Sequence, residues 1–334
     1  MVMNAAIVGL GWWGKHLLKK MRDSQVLRFA AAVGNEESQR EVADEFGVPF
    51  TTDFDSVLKD DRIDMIVLTT PHALHAPQVL KAAEHRKHVF CEKPLALTVA
   101  DAVECVRACE RAGVRLGLGH ERRFEGAMME LRRVVRRGEL GRIVHAEGNF
   151  SHDKLANVPT EHWRFTDAHL APVPMTATGI HVTDLMLDLL GDVTEAYAAA
   201  PTGGASGANR ALSLHLRFGS GATGYVNTVL ETPFYMRLGV FGTAGWAEVR
   251  NFTRPDAGGE GFLRVRLVDG TERLSRYEWN DSVRDNLEAF CRAVAKDTIY
   301  PITPEQMVAN VAVMAAVTES LYTNRPVQPA PAGK

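Results

Sequence analysis

Cysteine is scarce in this chain of 334 residues: Cys91, Cys105, Cys109 and Cys291 are the whole supply, and no two stand in C-x-x-C spacing. That excludes a disulfide-stapled scaffold and offers no thiolate cluster for structural zinc. Cys105 and Cys109 share a helix face, where buried free thiols are the expectation, and a reducing cytoplasm suits such a chain. No run of 18 or more apolar residues is present and no basic-then-apolar leader precedes the first strand, so neither a membrane span nor a signal peptide is expected. An excess of one charge is missing too. Lys plus Arg is 38 and Asp plus Glu is 41, a net charge of −3, which argues against bulk binding to nucleic acid or an anionic membrane. The histidine groups His72/His75 and His152/His162/His169 lack zinc-ligand spacing, so no metal site is expected. Arg132, Arg133, Arg136 and Arg137 recur around one helix and read as a solvated face. No internal repeat is visible.

What is present divides the chain. With 46% hydrophobic residues, 334 residues exceed one compact core, so two domains are expected. The first third alternates strand and helix: strands at Met3 to Val8, Phe29 to Val33, Met65 to Thr69, His88 to Cys91 and Arg115 to Leu118, with helices at Lys15 to Arg22, Glu37 to Phe46, His75 to His85 and Val99 to Ala112. This alternation predicts a parallel sheet covered on both faces, an α/β Rossmann arrangement, over residues 1–122. Residues 123–322 read as an α+β domain. Eight strands (Arg142 to Phe150, Val193 to Ala199, Leu212 to Phe218, Ala222 to Val229, Arg237 to Phe241, Ala247 to Asn251, Leu263 to Val268, Arg273 to Glu278) are separated by turn signals, among them Thr202-Gly203-Gly204. Such connections imply a large, mostly antiparallel sheet, with helices at Gly126 to Arg137, Gly179 to Leu190, Ser282 to Ala295 and Pro304 to Tyr322 on one face. If the other face is open and apolar it needs a partner, so a homo-oligomer, dimer or tetramer, is expected. Residues 323–334, rich in Pro and Ala from Arg325 on, read as a disordered tail.

The loop after the first strand carries Gly9-Leu10-Gly11-Trp12-Trp13-Gly14. Gly9 permits a tight turn, Gly11 lets backbone approach a pyrophosphate, and Gly14 lets the following helix sit close on the sheet. The helix N-terminus then presents N–H groups and a partial positive charge to phosphates. A dinucleotide is the expected ligand. Trp12 and Trp13 either wall the pyrophosphate or pack under the next helix. Thr70, Pro71 and His75 follow the third predicted strand, and Cys91-Glu92-Lys93-Pro94 follows the fourth. A lysine at such a strand end can hydrogen-bond a substrate hydroxyl and steady a developing oxyanion; taken alone, Lys93 also reads as a surface lysine in a loop.

Gly9-x-Gly11-x-x-Gly14, Thr70-Pro71 with His75, Glu92-Lys93-Pro94, Arg123-Phe124, Gly138-Glu139-Leu140-Gly141, Trp163-Arg164 and Gly179-Ile180-His181-x-x-Asp184 stand in the order of one family. Over residues 1 to 325 the chain resembles the Gfo/Idh/MocA oxidoreductases, the group of glucose–fructose oxidoreductase and inositol dehydrogenase. The resemblance implies a Rossmann domain, a C-terminal sheet used for oligomerisation, a nicotinamide cofactor, and hydride transfer to or from a polyol, sugar or related hydroxy/keto substrate. It also implies that Lys93 touches substrate and nicotinamide, that the Lys93–Pro94 bond is cis, and that His181 is the general acid/base, a role suited to imidazole. His120, Arg123, His152, Trp163, Arg164, Thr178 and Asp184 join Lys93 and His181 as expected substrate-lining residues, Asp184 as a possible support for the imidazole. Gly9, Gly11, Trp12, Trp13, Gly14, Asn35, Thr70, Pro71, His75, Glu92 and Lys93 are the expected cofactor contacts.

One position departs from the family: where an Asp commonly stands four residues before the histidine, this chain has Ala177, which suggests altered substrate geometry. The cofactor's phosphate state is open between NAD and NADP. The second strand ends Val33-Gly34-Asn35-Glu36-Glu37; the glutamates disfavour a 2′-phosphate and Arg40 is the nearest clamp, a lean to NAD. Two rival readings accompany the dehydrogenase: a family variant that uses NAD transiently to cleave a glycosidic bond, and a non-catalytic nucleotide-sensing regulator.

Overall fold

A computed structural model describes residues 2–159, 161–201, 209–254, 258–296 and 298–331. In the first part, β1 (Met3–Val8), α1 (Trp12–Met21), β2 (Leu27–Val33), α2 (Arg40–Glu45), β3 (Phe50–Thr51), α3 (Phe54–Leu58), β4 (Met65–Leu68), α4 (His75–Glu84), β5 (His88–Cys91), α5 (Val99–Ala112) and β6 (Leu116–Leu118) succeed one another. The six strands are all parallel, in the order β3-β2-β1-β4-β5-β6. Helices cover both faces, which is why Ala5, Ile7 and all of β4 are fully buried and apolar. The order reverses between β1 and β4, and there the carboxyl ends of the strands leave a crevice of the kind that binds ligands.

Two small elements, β3 and α3, were not expected. Their signal is an N-cap: Asp53 accepts from the backbone N–H of Asp55 at 2.9 Å and of Ser56 at 3.2 Å. The helix expected over Glu37 to Phe46 is a 3₁₀ turn, Glu37–Gln39, followed by the short α2.

The second part holds α6 (Gly126–Arg136), β7 (Ile143–Ser151), α7 (Trp163–Thr166), α8 (Ile180–Leu190), β8 (Val193–Ala199), β9 (Ala211–Phe218), β10 (Thr223–Val229), β11 (Tyr235–Gly242), β12 (Gly245–Asn251), β13 (Glu260–Leu267) and β14 (Glu272–Glu278). These strands form one sheet, β14-β13-β12-β11-β7-β10-β9-β8. Every pairing is antiparallel except β7 with β10. Alternation along the strands turns Ala146, Gly148, Val226, Leu238 and Val249 into the core. Gly148 is the point of closest approach: a Cβ there would run into the Val182 side chain of α8. The expected turn at Thr202-Gly203-Gly204 lies outside the described residues.

The opposite face is not apolar. It shows His145, Glu147, Asn149, Tyr225, Asn227, Tyr235 and Arg237, with Arg237 paired to Glu147 at 2.6 Å and to Glu248 at 3.1 Å. The premise of a naked hydrophobic face therefore fails, because the outward period of these strands is polar and aromatic.

Two further helices complete the chain, α9 (Ser282–Lys296) and α10 (Pro304–Thr323). The compact units are interleaved: Met1–Glu121 with Ser282–Met307, and Arg122–Asp281 with Val308–Lys334. This corrects the single expected boundary at 122. The reason is packing within the first unit. The Phe290 ring lies 5.8 Å from that of Phe90 and fills the space over Gly117, while Asn286 donates to the Leu118 carbonyl at 3.0 Å. The expected disordered tail is corrected over residues 323–331; residues 332–334 lie outside the described residues. Thr323 ends α10, and Val327 exchanges two hydrogen bonds with Ala196 at 2.8 and 2.9 Å, adding a bridge at the β8 edge. An edge strand offers unpaired backbone groups, and this Pro-rich segment takes them.

Candidate functional site

The nucleotide loop is explained by its glycines in two different ways. Gly9 has φ of +95°, and a Cβ on it would stand 3.0 Å from Thr69 and Thr70 backbone atoms. A Cβ on Gly14 would collide with the Gly9 carbonyl, so these two serve the fold itself. A Cβ on Gly11 would meet nothing within 4 Å. The protein does not need that space; a pyrophosphate does. The N-terminus of α1 has no capping side chain and no acid in its first turn, leaving its dipole to an outside anion. These features fit a dinucleotide. Trp12 is 61% exposed and stacks on His16, whereas the Trp13 ring turns inward toward Glu92. Asn35 is exposed just past β2, and Arg40 is held by Glu37 at 2.7 Å and lies over the Phe50 ring.

The β4 and β5 ends supply the second group. Thr69 Oγ1 donates to the Gly9 carbonyl at 2.6 Å, and Thr70 Oγ1 to Gln78 at 2.6 Å, with half-buried Pro71 next in line. His75 is fully buried. Its Nε2 lies 2.9 Å from the Thr70 carbonyl and its Nδ1 2.7 Å from the Pro94 carbonyl. Burial pushes its pKa down, although both carbonyls act in the opposite sense. His75 is thus a strut between two loops, which corrects its expected role as a cofactor contact. Lys93 is half-buried, and its bond to Pro94 is cis. Glu92 is buried beneath it, its carboxyl lying over Gly119, where no Cβ could fit. Burial first, then the neighbouring Glu121, pushes the Glu92 carboxyl up to about 8, against the pull of Trp13 and Lys93. His120, 1% exposed, follows β6 in the same unit. All of these residues lie at the carboxyl edge of one sheet.

In the second unit, a π-helical turn, Met175–Gly179, feeds α8. Its i→i+5 bonding widens the turn, so Ala177 and His181 do not stack as an ordinary i,i+4 pair. Ala177 packs instead with Phe165, Val173 and Leu230. His181 is 4% exposed, with its ring 5.7 Å from that of Phe150. Around Phe150 gather His152, Phe234 and the Arg122 guanidinium. Trp163 opens α7 and carries the Arg164 guanidinium 4.5 Å over its ring.

The comparisons follow this division. Residues 3–120 match the profile of an oxidoreductase family with an NAD-binding Rossmann fold, and residues 128–248 match the GFO/IDH/MocA C-terminal domain. The chain belongs to the Gfo/Idh/MocA oxidoreductase family. Among its relatives, 2,7-anhydro-N-acetylneuraminate hydratase of Escherichia coli (strain K12) is 29% identical over 197 residues, 58% of this chain and 51% of that enzyme. The match therefore spans about half of that relative's length. D-xylose 1-dehydrogenase (NADP(+)) 2 of Haloferax volcanii is 29% identical over 305 residues, covering 90% of this chain and 91% of the relative. In fold, the chain superposes on aldose-aldose oxidoreductase of Caulobacter crescentus, complexed with glycerol, with a TM-score of 0.86 at 22% identity, covering 98% of this chain and 100% of that one.

Three lining residues expected of this Gfo/Idh/MocA chain are corrected. Arg123 grips Asp184 through Nε and Nη2 at 2.7 and 2.6 Å, with both side chains 1% exposed, so the two form a buried ion pair and both Asp184 oxygens face a guanidinium. Thr178 is fully buried against the Thr228 hydroxyl and the Pro174 carbonyl. The expected solvated arginine face is also partly inward, since Arg132 reaches buried Asp188 at 2.8 Å. Sequence reasoning missed Glu121, Phe150 and the π turn. A π turn has no residue signature, and the ring beside His181 arrives from a distant strand.

Proposed function

We propose that this Gfo/Idh/MocA protein is an NAD(P)-dependent dehydrogenase or reductase of a polyol, sugar or related hydroxy/keto compound. The observation that carries this reading is the open cradle at Gly11 on the same sheet edge as Lys93. The cofactor, when bound, accepts or returns a hydride at its nicotinamide C4. Lys93 donates a hydrogen bond to the reacting oxygen and favours its negative charge, and His181 exchanges the hydroxyl proton. Glu92, Thr70, Pro71, Trp12 and Trp13 border the cofactor, and Asn35 takes the adenosine ribose. His120, His152, Trp163 and Arg164 line the substrate. NAD is preferred over NADP, because Arg40 is engaged by Glu37 and Phe50 and two glutamates follow Asn35. The relative named a xylose dehydrogenase supports CH–OH chemistry.

The protein works in a reducing cytoplasm, consistent with four free buried thiols. It assembles as a dimer or tetramer through the open face of the second sheet, whose tyrosines and Arg237 are residue types enriched at interfaces. Gel filtration with light scattering reads the assembly.

Absorbance of reduced nicotinamide tests the main reading. Wild type with NAD and polyols, sugars or sugar acids should turn over, and Lys93→Ala should lose about 10²–10⁴-fold in kcat. Undiminished turnover in that variant would remove Lys93 from the mechanism. Glycosidic bond cleavage without net cofactor change would establish the glycoside-cleaving reading instead. Cofactor binding without turnover would favour the nucleotide sensor.

A further inference from the structure

We infer that the substrate carries a carboxylate, and that Arg164 holds it. This rests on the dehydrogenase reading above and narrows it from polyols and sugars to hydroxy acids of that kind. Several arginines of the same unit have acids: Arg123 pairs with Asp184, Arg132 with Asp188, and Arg210 with Glu231 at 3.3 Å. Arg164 pairs with no carboxylate among the described residues. Its guanidinium lies against the Trp163 ring, and only its backbone N–H is otherwise engaged, to His162 Nδ1 at 3.3 Å. Burial lowers its pKa, and its charge in turn lowers that of the neighbouring His162 imidazole. A half-buried cation with no carboxylate within ion-pair distance is costly to keep. Stacking on an aromatic face leaves the planar N–H fork open at its edge, the geometry that takes a carboxylate in two parallel hydrogen bonds.

The position of this cation relates it to the chemistry. Phe165, the next residue, is docked on Val173 and Leu230 together with Ala177, the residue four before His181. Arg210 lies 4.9 Å over the Phe165 ring and donates to the Val158 carbonyl at 2.7 Å, holding the segment down. The turn that presents His181 thus contributes a methyl group at position 177, packed on the residue next to Arg164, where a family member with Asp would bring a negative charge. A substrate carboxylate supplies what is missing. It takes no part in the redox step: the carbinol carbon gives its hydride to the oxidised nicotinamide, the hydroxyl proton goes to His181, and the carbonyl forms with the carboxylate unchanged.

The test uses matched pairs, gluconate against glucitol and galactonate against galactitol, with NAD. Wild type should prefer the acid by at least about tenfold in kcat/KM. Arg164→Gln should lower the acid-to-alditol ratio about 10–100-fold, mostly through KM, the size expected of a lost charge-assisted pair. Arg164→Lys, which keeps the charge and loses the fork, should fall between. Preference for the alditols, or a ratio unmoved in Arg164→Gln, would overturn the inference and leave the dehydrogenase standing. If no compound turns over, the dehydrogenase reading fails and binding decides this one. With NADH present, gluconate should raise the melting temperature of wild type and not of Arg164→Gln. Equal shifts, or none in either, would overturn it.

Discussion

Glu92 shows how far surroundings can displace an ordinary residue. In the unfolded chain its carboxyl titrates near 4.5; in the fold, burial and the neighbouring Glu121 push it up to about 8. The folded protein therefore holds a proton that the unfolded chain releases between those values. Its contribution to stability is fully present below about pH 4.5 and is lost as pH rises toward 8. Since one pKa unit is worth about 1.4 kcal/mol, even part of this shift matters for a marginally stable domain. Glu92→Gln, which cannot ionise, should flatten the fall in melting temperature between pH 6 and 9 and leave the variant more stable than wild type at pH 9. Superimposable pH profiles for the two proteins would contradict this. The identity of Glu92 as part of Glu92-Lys93-Pro94 was legible in the sequence. Its protonation was not, because Glu121 and Gly119 reach it only through the β5–β6 neighbourhood.

At the scale of elements, the loop between β1 and α1 separates two uses of glycine that look alike on paper. Gly14→Ala forces a methyl group into the Gly9 carbonyl and should cost about 1–3 kcal/mol in a denaturant melt. Gly11→Ala places its methyl group in open space. The midpoint should stay near that of wild type while NADH affinity, read by fluorescence titration, drops tenfold or more. Equal losses of stability in the two variants would mean that Gly11 serves the fold, and that the cradle is not a ligand's. The G-x-G-x-x-G spacing told where these residues are; only the packed loop told which neighbour each one avoids. Elsewhere the strands were legible from period-2 alternation, as in Val193–Ala199, which matched throughout. The two-residue β3 was too short to carry a period, and the π turn at Met175–Gly179 carries no pattern at all.

For the whole molecule, the chain does not finish one unit before starting the next. Residues 282–307 belong with residues 1–121, and Phe290 of α9 packs on Phe90 in that unit. A fragment of residues 1–122 leaves Phe90 and Leu118 without Phe290, Asn286 and Tyr300, uncovering apolar area and removing two side-chain hydrogen bonds from the Leu118 carbonyl. It should show no cooperative thermal transition by circular dichroism. A sharp melt near that of the full chain would show that α9 is dispensable.

The sequence alone determined the ingredients: a glycine loop between an apolar strand and a helix, Lys93 and His181 in ordered motifs, and strands numerous enough for a second sheet. Those are local properties, written in spacing and period. Tertiary structure decided what the side chains face. Arg123 and Asp184 form a buried pair, His75 joins two backbone carbonyls, Glu92 keeps a proton, and Arg164 stands over a ring, paired with no carboxylate among the described residues. Burial and counter-charges depend on residues far apart in the chain, and it is the fold that sets those neighbours.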